Sequence, residues 1–144
     1  MIASAQSPPK TIRYLRILMA IIILRLLGAL FFPAAANGTL PSYFAIPFGL
    51  GDFLTGLFAI PLVYYLPKGG VRTYALAMAW NIAGLFDLLL AAGVSTLGGL
   101  YPAVSAFFGP AIVLLPIDII DHIVIFGLLL SGSVATYFAR NRMT

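Results

Sequence analysis

The chain has no cysteine, no glutamate, one histidine and one tryptophan, and only 8% of its 144 residues are charged. The missing cysteines exclude disulfides, thiolate metal sites and cysteine nucleophiles together. A soluble globular domain carries about 25% charged residues, so the shortage of charge, set against 62% hydrophobic residues, excludes that class. It also excludes a disordered chain and a nucleic-acid module. The net charge of +4 comes from small flanking groups of cations and not from a basic patch. The composition is that of a polytopic membrane protein.

A membrane-spanning helix needs about 20 mostly apolar residues. Four stretches meet that length: roughly 15–33, 44–66, 73–96 and 111–138. The linkers between them, at 34–43, 67–72 and 97–110, are short and rich in Gly, Pro and Ser, as helix–helix turns should be. The expected fold is an all-α membrane protein, a single domain over 1–144 forming an antiparallel four-helix bundle. The first span is expected to be retained and not cleaved, since its apolar stretch is too long for a signal peptide and Arg25 interrupts it. Lys10, Arg13 and Arg16 precede the first span, Lys68 and Arg72 separate the second and third, and Arg140 and Arg142 follow the fourth. The other two linkers carry no charge. The positive-inside rule then puts both termini in the cytoplasm and the uncharged linkers outside. The expected location is the cell membrane. Tyr43, Tyr64, Tyr65, Tyr74, Tyr101 and Tyr137 fall near the span ends, where aromatic belts belong. The apolar linker around Gly98-Gly99, Tyr101-Pro102 and Phe107-Phe108 is expected to fold onto the bundle as a lid or to lie against a neighbouring subunit.

The few acids are all in the wrong place for a surface role. Asp52, Asp87, Asp118 and Asp121 lie inside spans, as do His122 and Arg25. Ionisable groups at such depth face the bundle interior and mark function by default. At a rise of about 1.5 Å per residue, Arg25, Asp52 and Asp87 lie about 12–13 Å below the outer face. Asp118 lies about 10 Å deep, and Asp121 and His122 about 15–16 Å. Four helices thus place their polar groups in one layer, in the outer half of the bilayer. Gly49, Asp52, Gly56 and Ala59 share one face of the second span, and Trp80, Gly84 and Asp87 one face of the third, with Asn81 beside them. Small residues on such faces let backbones approach closely. Asp118, Asp121 and His122 are spaced i, i+3 and i+4, near enough to serve one centre. Four carboxylates against one guanidinium leave a formal excess of three negative charges, and like charges in low dielectric cannot all stay ionised.

Several chemistries fit that layer. Asp118, Asp121 and His122 with Asp52 and Asp87 offer oxygen ligands and one imidazole, a set suited to Mn, Fe, Mg or Ca. A haem with one protein ligand, or one shared across a dimer, is the less favoured cofactor. Asp and His chains inside membranes also serve as proton relays, and Pro47, Pro61 and Pro116 can free backbone carbonyls for ions. The bland alternative is a hydrogen-bonded polar core. Gly49-Leu50-Gly51-Asp52 resembles the GxGD motif of intramembrane aspartyl proteases of the presenilin and prepilin-peptidase type. Asp87 would be the partner in a proton-sharing dyad. In presenilin-like proteases, however, the other aspartate precedes GxGD, and this bundle is small for that activity.

Taken together, Phe48-Gly49-Leu50-Gly51-Asp52, Trp80-Asn81 with Gly84 and Asp87, and Pro116 with His122 resemble small four-helix bacterial inner-membrane proteins with no assigned function. The resemblance implies one shared polar feature, centred on Asp52, Asn81, Asp87 and His122, and supplies no activity. The leading expectation is a pocket of Asp52, Asp87, His122, Asn81 and Arg25, with Asp118 and Asp121, that binds a cation, protons or a small polar ligand. Its partners would be the lipid bilayer and a second copy or a larger membrane complex, with ion or proton transport as one use. The rivals are an accessory subunit whose polar core is structural, and a membrane-embedded metal or cofactor enzyme.

Overall fold

The computed structural model describes residues 9–140, so Arg142 lies outside the described region. Four helices are long and apolar enough to cross a membrane: α1 (Lys10–Ala36), α2 (Ser42–Lys68), α3 (Val71–Leu97) and α4 (Tyr101–Leu129). A short α5 (Gly132–Arg140) follows. The all-α bundle expected from the hydropathy pattern is what forms.

Helix α1 changes its winding midway. Residues Ile22–Leu30 form a 3₁₀ helix between two α-helical segments. Along this stretch Met19, Ile22, Arg25, Gly28, Phe31 and Ala34 are all buried, a strict spacing of three. A 3₁₀ helix has about 3.0 residues per turn and stacks such a row directly. An α-helix, with its 3.6 residues per turn, would wind the row around its axis. The 3₁₀ winding therefore keeps Arg25 on the same line as the apolar residues before and after it.

Helices α2 and α3 are joined by Gly69-Gly70, whose φ angles of 73° and 93° favour glycine. Helix α4 departs from the expected boundaries. The span drawn at 111–138 begins ten residues earlier and ends at Leu129. The linker at 97–110 is itself mostly helical, from Tyr101 to Phe108, because Pro102 in the first turn suits a helix start. The far end breaks where the Ser131 hydroxyl donates to the Leu128 carbonyl at 2.7 Å and the chain restarts as α5. Between these limits α4 is bent through a 3₁₀ segment, Gly109–Val113. Gly109 has φ 54°, and neither Pro110 nor Pro116 can donate the backbone bond a continuous helix needs.

The apolar core is in two parts. One, at the cation-bearing end, joins Ile12, Leu15, Met19 and Ile22 of α1 to Leu62, Trp80, Ile125, Leu129 and Phe138. The other, at the uncharged end, joins Phe31, Phe44, Phe48 and Val104 with Phe107 and Phe108 against them. The rings of Phe107 and Phe108 lie 5.6 and 5.3 Å from that of Phe31. The segment expected as a lid thus roofs the uncharged end. Leu24, Leu27, Leu76, Phe86, Ile120 and Ile123 are exposed around the outside, as lipid-facing side chains would be. Tyr74 and Tyr137 turn inward, donating to the carbonyls of Leu129 and Pro67. Tyr43, Tyr64, Tyr65 and Tyr101 remain exposed near the span ends.

Because the chain has no native cysteine, its topology can be read with single substitutions at two exposed positions. Thr96→Cys should be labelled by a membrane-impermeant maleimide added outside intact cells, and Arg72→Cys only after the membrane is opened. Labelling of both from outside would contradict the orientation expected from the flanking cations.

Candidate functional site

Between the two apolar cores lies a polar layer built around one side chain. Arg25 sits on the 3₁₀ stretch of α1 and is 5% exposed. Its Nε donates to Oδ1 of Asp52 on α2 at 2.7 Å. Its Nη2 donates to Oδ2 of Asp87 on α3 at 2.5 Å and also contacts Asp52. Its Nη1 donates to the Gly84 carbonyl at 3.2 Å and lies 3.2 Å from Nε2 of His122 on α4. A guanidinium has five N–H donors and no acceptor, so this network engages every nitrogen of the group.

The histidine's proton follows from the same geometry. Arg25 only donates, so Nε2 of His122 must accept, which places the ring proton on Nδ1. Nδ1 then donates to Oδ1 of Asn81 at 2.8 Å. The Asn81 amide nitrogen donates to the His122 backbone carbonyl at 3.0 Å. Asn81 and His122 are both 0% exposed. Asn81 is therefore an orienting amide, and both ring nitrogens of His122 are occupied.

Glycines make the room. Side-chain carbons built on Gly84 would meet the His122 ring at 2.6 and 2.9 Å, and one on Gly51 would strike the Asp87 carboxylate. Gly56 lets α2 approach the α1 backbone at Leu26, and Gly28 lets Asp52 lie against α1. Trp80 closes the layer from the cation-bearing side. Its Nε1 donates to the Thr55 carbonyl at 2.9 Å, and its ring centre is 5.6 Å from that of His122.

The structure thus brings together Arg25, Asp52, Asp87, His122 and Asn81. Asp118 lines a cavity shared with Arg25 and Asp52, and pairs with no cation among the described residues. Asp121 does not join this centre. It lies about 100° around the helix from its neighbour His122, and although buried at 7% exposure neither of its oxygens has a hydrogen-bond partner.

The five-residue metal site does not assemble. Among the described residues no three His, Asp or Glu side chains are grouped to hold a metal ion. The Arg25 guanidinium occupies the space between Asp52 and Asp87 that a metal would fill, and Asp121 is turned away. Nor has His122 a free nitrogen for a haem iron. Asp52 and Asp87 both bind the arginine and no hydrogen bond joins them directly among the described residues, unlike the two carboxyls of an aspartyl dyad.

The cavity, about 520 Å³ in volume, extends from Arg25, Asp52 and Asp118 toward the uncharged end. Its walls include Phe31, Phe44, Phe48, Leu88, Phe107 and Phe108. In the sequence Phe107 and Phe108 stood out only as a lid and Phe48 only in the run around Asp52, while Phe31 and Phe44 were not singled out. The pointer was Phe31, two steps along the three-residue row that carries Arg25. The Gly84 carbonyl was also missed, since a backbone acceptor leaves no trace in residue type.

The chain matches, over residues 2–130, the family described as "Domain of unknown function (DUF8737)", and it belongs to that family. Neither the curated proteins nor the solved structures contain a match.

The glycine positions give a direct test of the layer's packing. Gly84→Ala should destabilise the bundle by about 1–3 kcal/mol, the range for overpacking a tight site. Gly127→Ala has open space around it and should be neutral or stabilising by up to about 1 kcal/mol through helix propensity. Thermal unfolding in one detergent compares the two, and equal effects would contradict the packing described.

Proposed function

We propose that this chain is a membrane-embedded binding protein for a single cation, held by the carboxylates around Arg25. The observation that carries the reading is that one guanidinium is shared by two carboxylates. With His122 held as a neutral imidazole, the cluster sums to a formal charge of −1. In low dielectric that excess must be balanced. A proton fills the place when nothing else is present, and a small cationic group takes it when available.

Access supports the reading. The Arg25 side chain is 3% exposed, whereas those of Asp52 and Asp87 keep 22% and 19%. Both acidic side chains therefore keep accessible surface while the counter-charge is sealed, and Asp52 lines the cavity. On the other side, Ile22, Ala59, Trp80 and Ile125 close the layer. This geometry favours binding from the uncharged end, and transport would require that core to part. Asp52 and Asp87 are the charged ligands, Arg25 is the fixed counter-charge, and His122 and Asn81 set its orientation.

A second reading, an accessory subunit of a larger membrane complex, draws on Asp121. A buried carboxylate without a partner calls for an explanation, and a donor from a neighbouring chain would supply one. Co-purification with another protein at fixed stoichiometry, lost in Asp121→Leu, would favour it.

Asp87→Asn removes the excess charge and keeps the shape. It should reduce retention of labelled methylammonium at least tenfold in purified protein, with unfolding shifted by no more than about 1–2 kcal/mol. Unchanged retention would contradict the assignment.

A further inference from the structure

We infer that the cavity beside Arg25 takes an amphiphile with a protonated amine head and an apolar chain, which enters sideways between α1 and α4. This names the ligand class for the site proposed above and rests on that reading for its charge.

The cavity's volume of about 520 Å³ falls within the roughly 300–1,000 Å³ of small-molecule pockets. Its lining is divided by chemistry. Charged groups occur only at one end, where Arg25, Asp52 and Asp118 meet. The rest is mainly phenylalanine and aliphatic wall, with Ser95 and Asn37 the uncharged polar members. Ser95 already donates to the Ala92 carbonyl, so it is not waiting for a ligand. A wholly polar molecule would leave the walls unmatched, and a wholly apolar one would leave the carboxylates unmatched.

The sign of the head follows from what is already used. Every nitrogen of Arg25 is engaged, so the charged end of the cavity has no donor to offer an anion. Asp118 has no cation partner among the described residues, and Asp52 keeps part of its carboxylate exposed. Both are acceptors facing the same space, and an ammonium group offers three donors and a positive charge to them.

The route follows from the rim. Leu24 and Leu27 of α1 and Leu114 and Ile117 of α4 line the cavity and are also exposed on the outside of the bundle. Helix α1 packs on α4 closely through its cation-bearing half, Lys10–Ile21. Farther along, the two are bridged by Arg25 with His122 below and by Phe31 with Phe107 and Phe108 above. The window between those bridges faces the surrounding lipid. A ligand that partitions into the bilayer reaches it without crossing the Phe roof.

The test uses the full chain in phosphatidylcholine nanodiscs, with bound molecules counted by native mass spectrometry and empty nanodiscs as the blank. Dodecylammonium should bind saturably at one per chain and at least tenfold more tightly than dodecanol or dodecyl sulfate. Asp118→Asn should weaken it at least tenfold. Ala91→Phe, which narrows the apolar part without touching a charge, should weaken dodecylammonium at least tenfold and leave methylammonium retention unchanged. Ala111→Trp on the cavity's exposed rim gives the same test should Ala91→Phe fail to fold. Equal binding of dodecanol and dodecylammonium would overturn the inference, showing a lipid chain filling space. So would insensitivity of dodecylammonium to the narrowing variants. In either case methylammonium retention sensitive to Asp87→Asn would leave the cation site standing, and its absence would remove both readings.

Discussion

A buried guanidinium is costly unless its charge and its donors are all met, and the rest of this bundle is arranged to meet those of Arg25. Two carboxylates from α2 and α3, a backbone carbonyl from α3 and an imidazole nitrogen from α4 converge on it. Each helix is therefore tied to α1 at one level. In a lipid surrounding, apolar burial gives helices little reason to prefer each other over the bilayer. A shared polar centre supplies that preference and fixes the register. Removing the guanidinium from such a buried network costs about 3–5 kcal/mol because both carboxylates are left uncompensated. The glycines and the 3₁₀ winding are consequences of the same demand. Gly84 and Gly51 clear space for His122 and Asp87, and the three-residue row brings Arg25 to the interface.

The centre also divides the molecule into unequal halves. Toward the cation-bearing end, α1, α2, α3 and α4 share one continuous apolar core. Toward the uncharged end, the bend at Gly109 and Pro110 turns the start of α4 over Phe31 and leaves a cavity beneath. A closed half and an open half, with an excess negative charge at their boundary, are the features on which the proposed binding site with access from one side rests. The exposed parts of Asp52 and Asp118 lie at the floor of the open half, where a ligand would meet them.

Much of this was legible in the residues. The confinement of every acid to a span, and the common depth of Arg25, Asp52 and Asp87, point to one layer from the residues alone. The small-residue stripes correctly marked the contacting faces of α2 and α3. What escaped the reading had physical reasons. The fourth span was started too late because Gly and Pro at 98–110 read as linker, although Pro102 is well placed to begin a helix. Asp121 was grouped with His122 by sequence spacing, which sets proximity along a helix and not a shared direction. The metal set did not assemble because Arg25, expected in the pocket only as a counter-charge, stands between Asp52 and Asp87. The spacing of three from Met19 to Ala34 was present in the sequence. Its meaning depended on a winding that hydropathy alone does not specify.

The central claim is that the Arg25 cluster carries one excess negative charge, balanced by a proton until a cationic head replaces it. Infrared spectroscopy of the carboxyl carbonyl stretch measures this directly, in a background with Asp118 and Asp121 replaced by asparagine. One protonated carboxyl is expected in the ligand-free protein, lost on adding methylammonium and absent in Asp87→Asn. A spectrum of ionised carboxylates alone, unchanged by methylammonium, would contradict it.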